Sequence, residues 1–147
     1  MKLQPKPLSR YHETPIQVRF NEVDLYRIAW HGHYVAWMEQ ARNDLAGRFG
    51  LDPVQIAAEG YLAPVVSLDV KYLRPARFAD QLQVRTTLIR RETATIEFRC
   101  DIMGSEGKVL ATGRTVHALT DLDGILQYVL PQSIAHRLEA LFQHLGV

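Results

Sequence analysis

The sequence predicts an α+β domain in which a curved antiparallel sheet of about five strands wraps one long helix. Three observations carry that expectation. Tyr34, Trp37, Met38, Ala41, Leu45 and Phe49 recur at helical spacing, the apolar stripe of one long amphipathic helix. From Leu62 onward the period falls to two, in four successive segments separated by short turns. Strands that follow one another through short turns, beside a single long helix, belong to the α+β class.

In chain order, a Pro-rich tail over residues 1–14 is expected to be loose. In "PIQVRFNEV", Ile16, Val18 and Phe20 alternate with Gln17, Arg19 and Asn21, which predicts a half-buried first strand. Gly32 opens the long helix, whose other side carries Glu39, Gln40, Arg42, Asn43 and Arg48, and Gly50 closes it as a C-cap. "LDPVQIAAEG" repeats the punctuation with Asp52 as N-cap, Pro53 at the first helical position and Gly60 at the end, so a short second helix follows. The segments "APVVSLDVKYL", "DQLQVRTTLI", "ETATIEFRCDI" and "KVLATGRTVHALT" each read as a strand. Turns fall at Arg74-Pro75-Ala76-Arg77, Arg90-Arg91-Glu92 and Gly104-Ser105-Glu106-Gly107, and Asp121-Leu122-Asp123-Gly124 ends the last strand. After Pro131, Ile134, Leu138, Leu141 and Leu145 space out a terminal helix.

A chain of 147 residues with 47% hydrophobic content has room for one domain with a real core, taken here as residues 1–147. Seventeen basic and sixteen acidic residues leave a formal charge of +1, with no long run of either sign to serve as a nucleic-acid footprint. The single Cys100 excludes an internal disulfide framework and reads as a small buried hydrophobe. No apolar run follows the N-terminal lysines, and no segment approaches the ~20 apolar residues of a membrane span. A soluble cytoplasmic protein is expected.

One stretch concentrates chemistry: "DLYRIAWHGHY", from Asp24 to Tyr34. Taken alone, Asp24 is either a turn or capping residue or a carboxylate aimed at a site. His31 and His33 suggest a metal, but a metal site needs three or more ligands and no HExxH or Cys/His cluster lies nearby, so no metal or redox cofactor is expected. The His31 imidazole is either a substrate-side contact or a satisfied packing group. Tyr34, Trp37 and Met38 read as core that lines one wall of a pocket.

The residues resemble the hotdog-fold acyl-CoA thioesterases, in the branch that includes 4-hydroxybenzoyl-CoA thioesterase and the Tol-Pal-associated thioesterases. "VRFNEVDLYRIAWHGHYVAWMEQAR" carries the first match, "PVVSLDVKYLRPARFADQLQVRTTL" the second and "ALTDLDGILQYVLPQSI" the third, together about residues 16–134. Family members usually have a small residue or Gly where Arg27 stands, and Asn where His33 stands. The resemblance implies a hotdog fold and hydrolysis of an acyl-CoA or acyl-carrier-protein thioester. It also implies a homodimer or homotetramer with sheets paired edge to edge. A non-catalytic acyl-binding protein on the same fold is the alternative from another class.

Residue by residue, the resemblance makes Asp24 the catalytic acid, as nucleophile or general base, and the backbone N–H of His31 the donor that polarises the carbonyl. The chemistry fits those places, because the first N–H groups of a helix have no internal partner and the macrodipole puts partial positive charge there. His33 and Tyr34 lie beside them as substrate contacts, and Ser67 matches the family's second strand, where a hydroxyl can reach the reacting centre. Glu39 is the alternative carboxylate, since another hotdog branch carries its acid on the long helix. For the phosphates of coenzyme A, Arg90 and Arg91 at a hairpin and Arg74 and Arg77 around the proline turn are the basic candidates.

Overall fold

Residues 6–147 are described by the structure, a computed structural model, as a five-stranded antiparallel sheet folded against one long helix. In chain order the elements are β1 (His12–Gln17), a 3-10 turn (Phe20–Glu22), α1 (His31–Gly47), α2 (Pro53–Ala58), β2 (Tyr61–Leu62) and β3 (Val65–Tyr72). After these come β4 (Gln81–Ile89), β5 (Thr95–Met103), β6 (Val109–Ala118), β7 (Thr120–Asp121) and α3 (Gln132–Leu145). The main sheet runs β1-β4-β5-β6-β3, so β3 is an edge, and β2 pairs with β7 in a separate two-stranded ribbon. This is the expected hotdog arrangement.

Alternation decides which face meets the helix. Ile96, Phe98, Cys100 and Ile102 of β5 point inward and are all buried, as are Leu82, Val84 and Leu88 of β4. Register shifts between Val65 and Ser67 and between Ile102 and Met103 interrupt the ladders. Such bulges bend a strand, which helps the sheet curl around α1. From α1 the residues Tyr34, Trp37, Met38, Ala41, Leu45 and Ala46 fill the concavity. Leu138 and Leu141 of α3 complete the core beside Leu45 and Ile96.

Where α1 crosses β6, Gly113 supplies the room. A Cβ built there would overlap the Met38 thioether. Gly113→Ala should therefore cost about 1–2 kcal/mol in denaturant unfolding, because a packed core accommodates an extra methyl only by displacing side chains. An unchanged midpoint would show that Met38 has space to withdraw.

Several boundaries differ from expectation, each for a local reason. Of the tail expected to be loose, residues 1–5 lie outside the described residues, and β1 already begins at His12. The first strand also stops early, at Gln17, because the 3-10 turn takes over; Phe20, expected to face the core, is exposed instead. Regular helix in α1 ends at Gly47, and the chain tightens through Phe49 N–H to Ala46 C=O at 3.0 Å before Gly50 turns it left-handed at φ +75°. By contrast α2 has the cap its sequence called for: Asp52 accepts from the Gln55 N–H at 2.8 Å, and the Gln55 side chain accepts in return from the Asp52 N–H at 3.0 Å.

Candidate active site

The Asp24–Tyr34 stretch is a tight reversal that runs directly into a helix. The Asp24 N–H donates to the Ile28 carbonyl and the Arg27 N–H to the Asp24 carbonyl, each at 3.0 Å. The Tyr26 N–H donates to Asp24 Oδ1 at 2.8 Å, so one carboxylate oxygen closes the turn. Oδ2 has no hydrogen-bond partner among the described residues. Arg27 completes the reversal at φ +63°, a left-handed conformation that favours glycine. The stretch is stitched to the connection between β3 and β4, with the Ala29 N–H on the Ala76 carbonyl at 2.8 Å and a bridge between Ile28 and Arg77.

Trp30 is extended and His31 is the first residue of α1. The backbone N–H groups of His31 and Gly32 meet no acceptor among the described residues, as expected for a helix start without a side-chain cap. Gly32 is required by the Trp30 ring, which occupies the place a Cβ would take. Tyr72, at the end of β3, fixes this first turn: its hydroxyl donates to the His31 carbonyl at 2.6 Å. The Tyr34 hydroxyl accepts from the Ala76 N–H at 2.9 Å, and its ring meets Tyr72 edge-on at 5.0 Å. Burial pushes both phenols above their ordinary pKa, so they position the backbone and do not act as bases near neutrality.

Between these parts lies a cleft of about 450 Å³. Asp24, His31 and Tyr34 line one side of it, and Tyr72, Leu73 and Arg74 the other. The profile of the Thioesterase-like superfamily matches residues 18–138, nearly the whole chain and all of this cleft. The chain belongs to that superfamily. Thioester hydrolysis is the reaction class that goes with it.

The chain is 25% identical over 120 residues to the acyl-CoA thioester hydrolase YbgC of Escherichia coli, covering 82% of this chain and 90% of that one. Among solved structures it is similar to a hypothetical protein of Thermus thermophilus, with 33% identity, a TM-score of 0.78 and coverage of 88% of this chain and 98% of the other. It also shares its fold with a DHNA-CoA thioesterase of Staphylococcus aureus, at a TM-score of 0.80 and 21% identity over 92% of this chain and 91% of that one.

In this thioesterase-like chain the cleft unites Asp24, His31, Tyr34 and Arg74 and leaves His33, Ser67, Arg90 and Arg91 elsewhere. The His33 ring sits 5.4 Å from the Trp30 ring, with Nδ1 4.0 Å from Glu22 Oε2, outside the cleft lining. Ser67 is half-buried on the edge strand and does not line the cleft of its own chain. Arg90 and Arg91 follow β4, whose nine residues carry them about 30 Å from the Asp24 end. Arg90 holds Glu139 through two bonds of 2.8 and 2.9 Å, and Arg91 holds Glu97 at 2.7 Å. Among the described residues no group of three or more His, Cys, Asp or Glu is placed to hold a metal ion. No helix among them is long and apolar enough to cross a membrane. Burial drives the Cys100 thiol up to about 11, which keeps it protonated and inert.

Two positioning residues carried no sequence signal of their own. Glu22 accepts from Trp37 Nε1 at 2.8 Å and from the Arg19 N–H at 2.8 Å, and its carbonyl takes the Trp30 N–H at 2.9 Å. It ties the reversal to α1. Tyr72 does the same from the sheet, and only its place in the "VKYLRPAR" segment marked it.

Proposed function

We propose that the protein hydrolyses acyl-CoA thioesters in the Asp24 cleft. The observation that carries this reading is that one cleft holds both a carboxylate with a free oxygen, Asp24 Oδ2, and the unpartnered N–H of His31 at a helix start. A thioester carbonyl placed there accepts from the His31 N–H, and the helix terminus stabilises the oxyanion as the carbonyl carbon becomes tetrahedral. Asp24 acts in one of two ways. It adds its own oxygen to the carbonyl carbon, giving a mixed anhydride that water then cleaves, or it takes a proton from a water that adds directly. In both routes the C–S bond breaks, the thiolate leaves to be protonated, and the acid is released.

The phosphates of coenzyme A find Arg74 in the cleft wall and Arg77 beside it. Arg90 and Arg91 join them only where another subunit carries its own hairpin to the cleft. The edge strand β3 supports assembly, since Val65, Val66, Leu68 and Tyr72 leave it exposed and apolar. Antiparallel pairing of two β3 strands about a two-fold axis sets the Val65–Ser67 end of one against the Tyr72 end of the other. The single buried thiol is in keeping with a reducing cytoplasm.

Thiol release from a set of aliphatic and aromatic acyl-CoAs, with light scattering on the same samples, tests this. Turnover by a dimer or tetramer is expected. Acyl-CoA binding without thiol release would favour a non-catalytic binding protein, turnover of carrier-bound acyl groups alone would favour the carrier-protein reading, and a stable active monomer at micromolar concentration would overturn the assembly.

A further inference from the structure

Eight residues beyond His31, about 12 Å along the axis of α1, a second cavity opens between the helix and the sheet. Its volume is about 230 Å³, on the order of eight water molecules in the liquid and so enough for a single ring or a short chain. Ile56, Ile96, Phe98 and Leu138 give it apolar walls, and α1 contributes Glu39, Arg42 and Asn43.

Arg42 stands out chemically. Its side chain is only 12% exposed, yet its ion pair is a single contact of 3.9 Å with Glu39. Arg90, Arg91 and Arg99 hold their carboxylates at 2.7–2.9 Å. Among the described residues neither the Arg42 guanidinium nor the Asn43 amide makes a side-chain hydrogen bond. Burial lowers Arg42 below its ordinary pKa, which means that the lost hydration is not offset by a close anion. Glu39 does not supply one: its side chain is 59% exposed, at the cavity mouth, where water screens it. His117, the other polar wall, faces the Ala63 carbonyl at 2.9 Å and Thr115 Oγ1 at 3.2 Å, so both ring nitrogens are occupied, and burial keeps it neutral. A rigid fork of donors facing an apolar box matches a carboxylate attached to a hydrocarbon body.

The cavity opens beside Leu62, Ala63 and Val65, at the start of β3. This is the end of the edge strand that two-fold pairing sets against the Tyr72 end of the other copy, next to that copy's His31 cleft. An acyl group whose thioester lies in one chain's cleft thus has the other chain's cavity ahead of it.

We propose that Arg42, with Asn43, is the specificity determinant of this compartment and selects acyl groups that carry a carboxylate remote from the thioester. The substrates are then half-thioesters of dicarboxylic acids with a short aliphatic or single-ring body. The inference rests on the thioesterase reading of the Asp24 cleft. Its test compares adipoyl-CoA with heptanoyl-CoA, similar in length but neutral at the far end. Wild-type kcat/KM should favour adipoyl-CoA by about tenfold or more, because a guanidinium left facing a methyl group loses its partner. In Arg42→Met the preference should vanish, chiefly through KM, and Arg42→Lys should keep part of it. An equal ratio in wild type and Arg42→Met, or a wild-type preference for heptanoyl-CoA, overturns the proposal. If neither thioester is cleaved, the thioesterase reading fails on its own account, and calorimetric titration with adipate and the neutral hexanamide still decides the cavity. Tighter binding of adipate that Arg42→Met or Arg42→Lys weakens upholds the role of Arg42; equal or absent binding of adipate overturns it.

Discussion

Asp24→Asn should lower kcat for acyl-CoA hydrolysis by about 10²-fold or more while leaving the fold intact. The substitution separates the turn-closing role of Asp24 seen in the structure from the chemical role proposed for the same side chain. Asp24 Oδ1 closes the reversal by accepting the Tyr26 N–H, and an Asn carbonyl oxygen accepts that bond equally well. What Asn lacks is the anionic oxygen that, in the proposed reaction, attacks the carbonyl or removes a proton from water. A role confined to the turn would therefore survive the change, and a chemical role would not. His31→Ala supplies the contrast, since it keeps the backbone N–H assigned to the oxyanion and removes only the imidazole, so its cost should be much smaller. Steady-state thiol release for both variants, with circular dichroism to confirm folding, makes the comparison. Near-wild-type turnover by folded Asp24→Asn would move the chemistry to another carboxylate, with Glu39 the next residue to test.

The parts of this protein legible in its sequence are those governed by local periodicity and by capping. The stripe on α1, the Asp52 cap and the alternation of β4 and β5 each depend on residues a few positions apart, and the structure has all of them. What escaped depends on distance or on a change of local geometry. The ribbon of β2 and β7 joins Tyr61 to Asp121, two residues on each side, too short for a period to show. Phe20 continues the alternation of Ile16 and Val18 in the sequence, yet the backbone leaves the strand before it, and its ring packs edge-on against Phe78 at 5.8 Å on the surface. His31 and His33 would share a side in an extended chain. As the first and third residues of a helix they lie about 200° apart, which is why one reaches the cleft and the other faces Glu22. Arg90 read as a free charge at a hairpin because its partner, Glu139, is 49 residues away.

A partnership of the same kind sets the second large effect. Glu97→Gln should destabilise the protein by about 2–3 kcal/mol at neutral pH, with a difference from wild type that disappears toward pH 2. Glu97 lies on the outer face of β5 with only 3% of its side chain exposed, covered by three arginines. Arg91 Nη1 donates to Oε1 at 2.7 Å, Arg99 Nε to Oε2 at 2.9 Å, and Arg114 reaches Oε1 at 3.2 Å and Oε2 at 3.0 Å. Arg99 and Arg114 are directly opposite each other across the β5–β6 ladder, a like-charge pair that would repel without the carboxylate between them. Burial alone would raise the Glu97 carboxyl, but the hydrogen bonds from Arg114, Arg91 and Arg99 outweigh it and hold it down to about 2. A carboxyl depressed in the folded state stabilises fully above its unfolded value near 4.5, and the stabilisation is lost as pH falls from there through about 2. Asp44, held low by Thr14 and His12 against the opposing effect of burial, adds a contribution of the same sign, so the wild-type curve alone does not isolate Glu97. The difference between wild type and Glu97→Gln does, because protonated glutamate and glutamine both present a neutral group to the same three arginines. Urea unfolding of both proteins from pH 2 to pH 7 should show the gap opening across that window; a gap independent of pH would assign the loss to packing instead of charge.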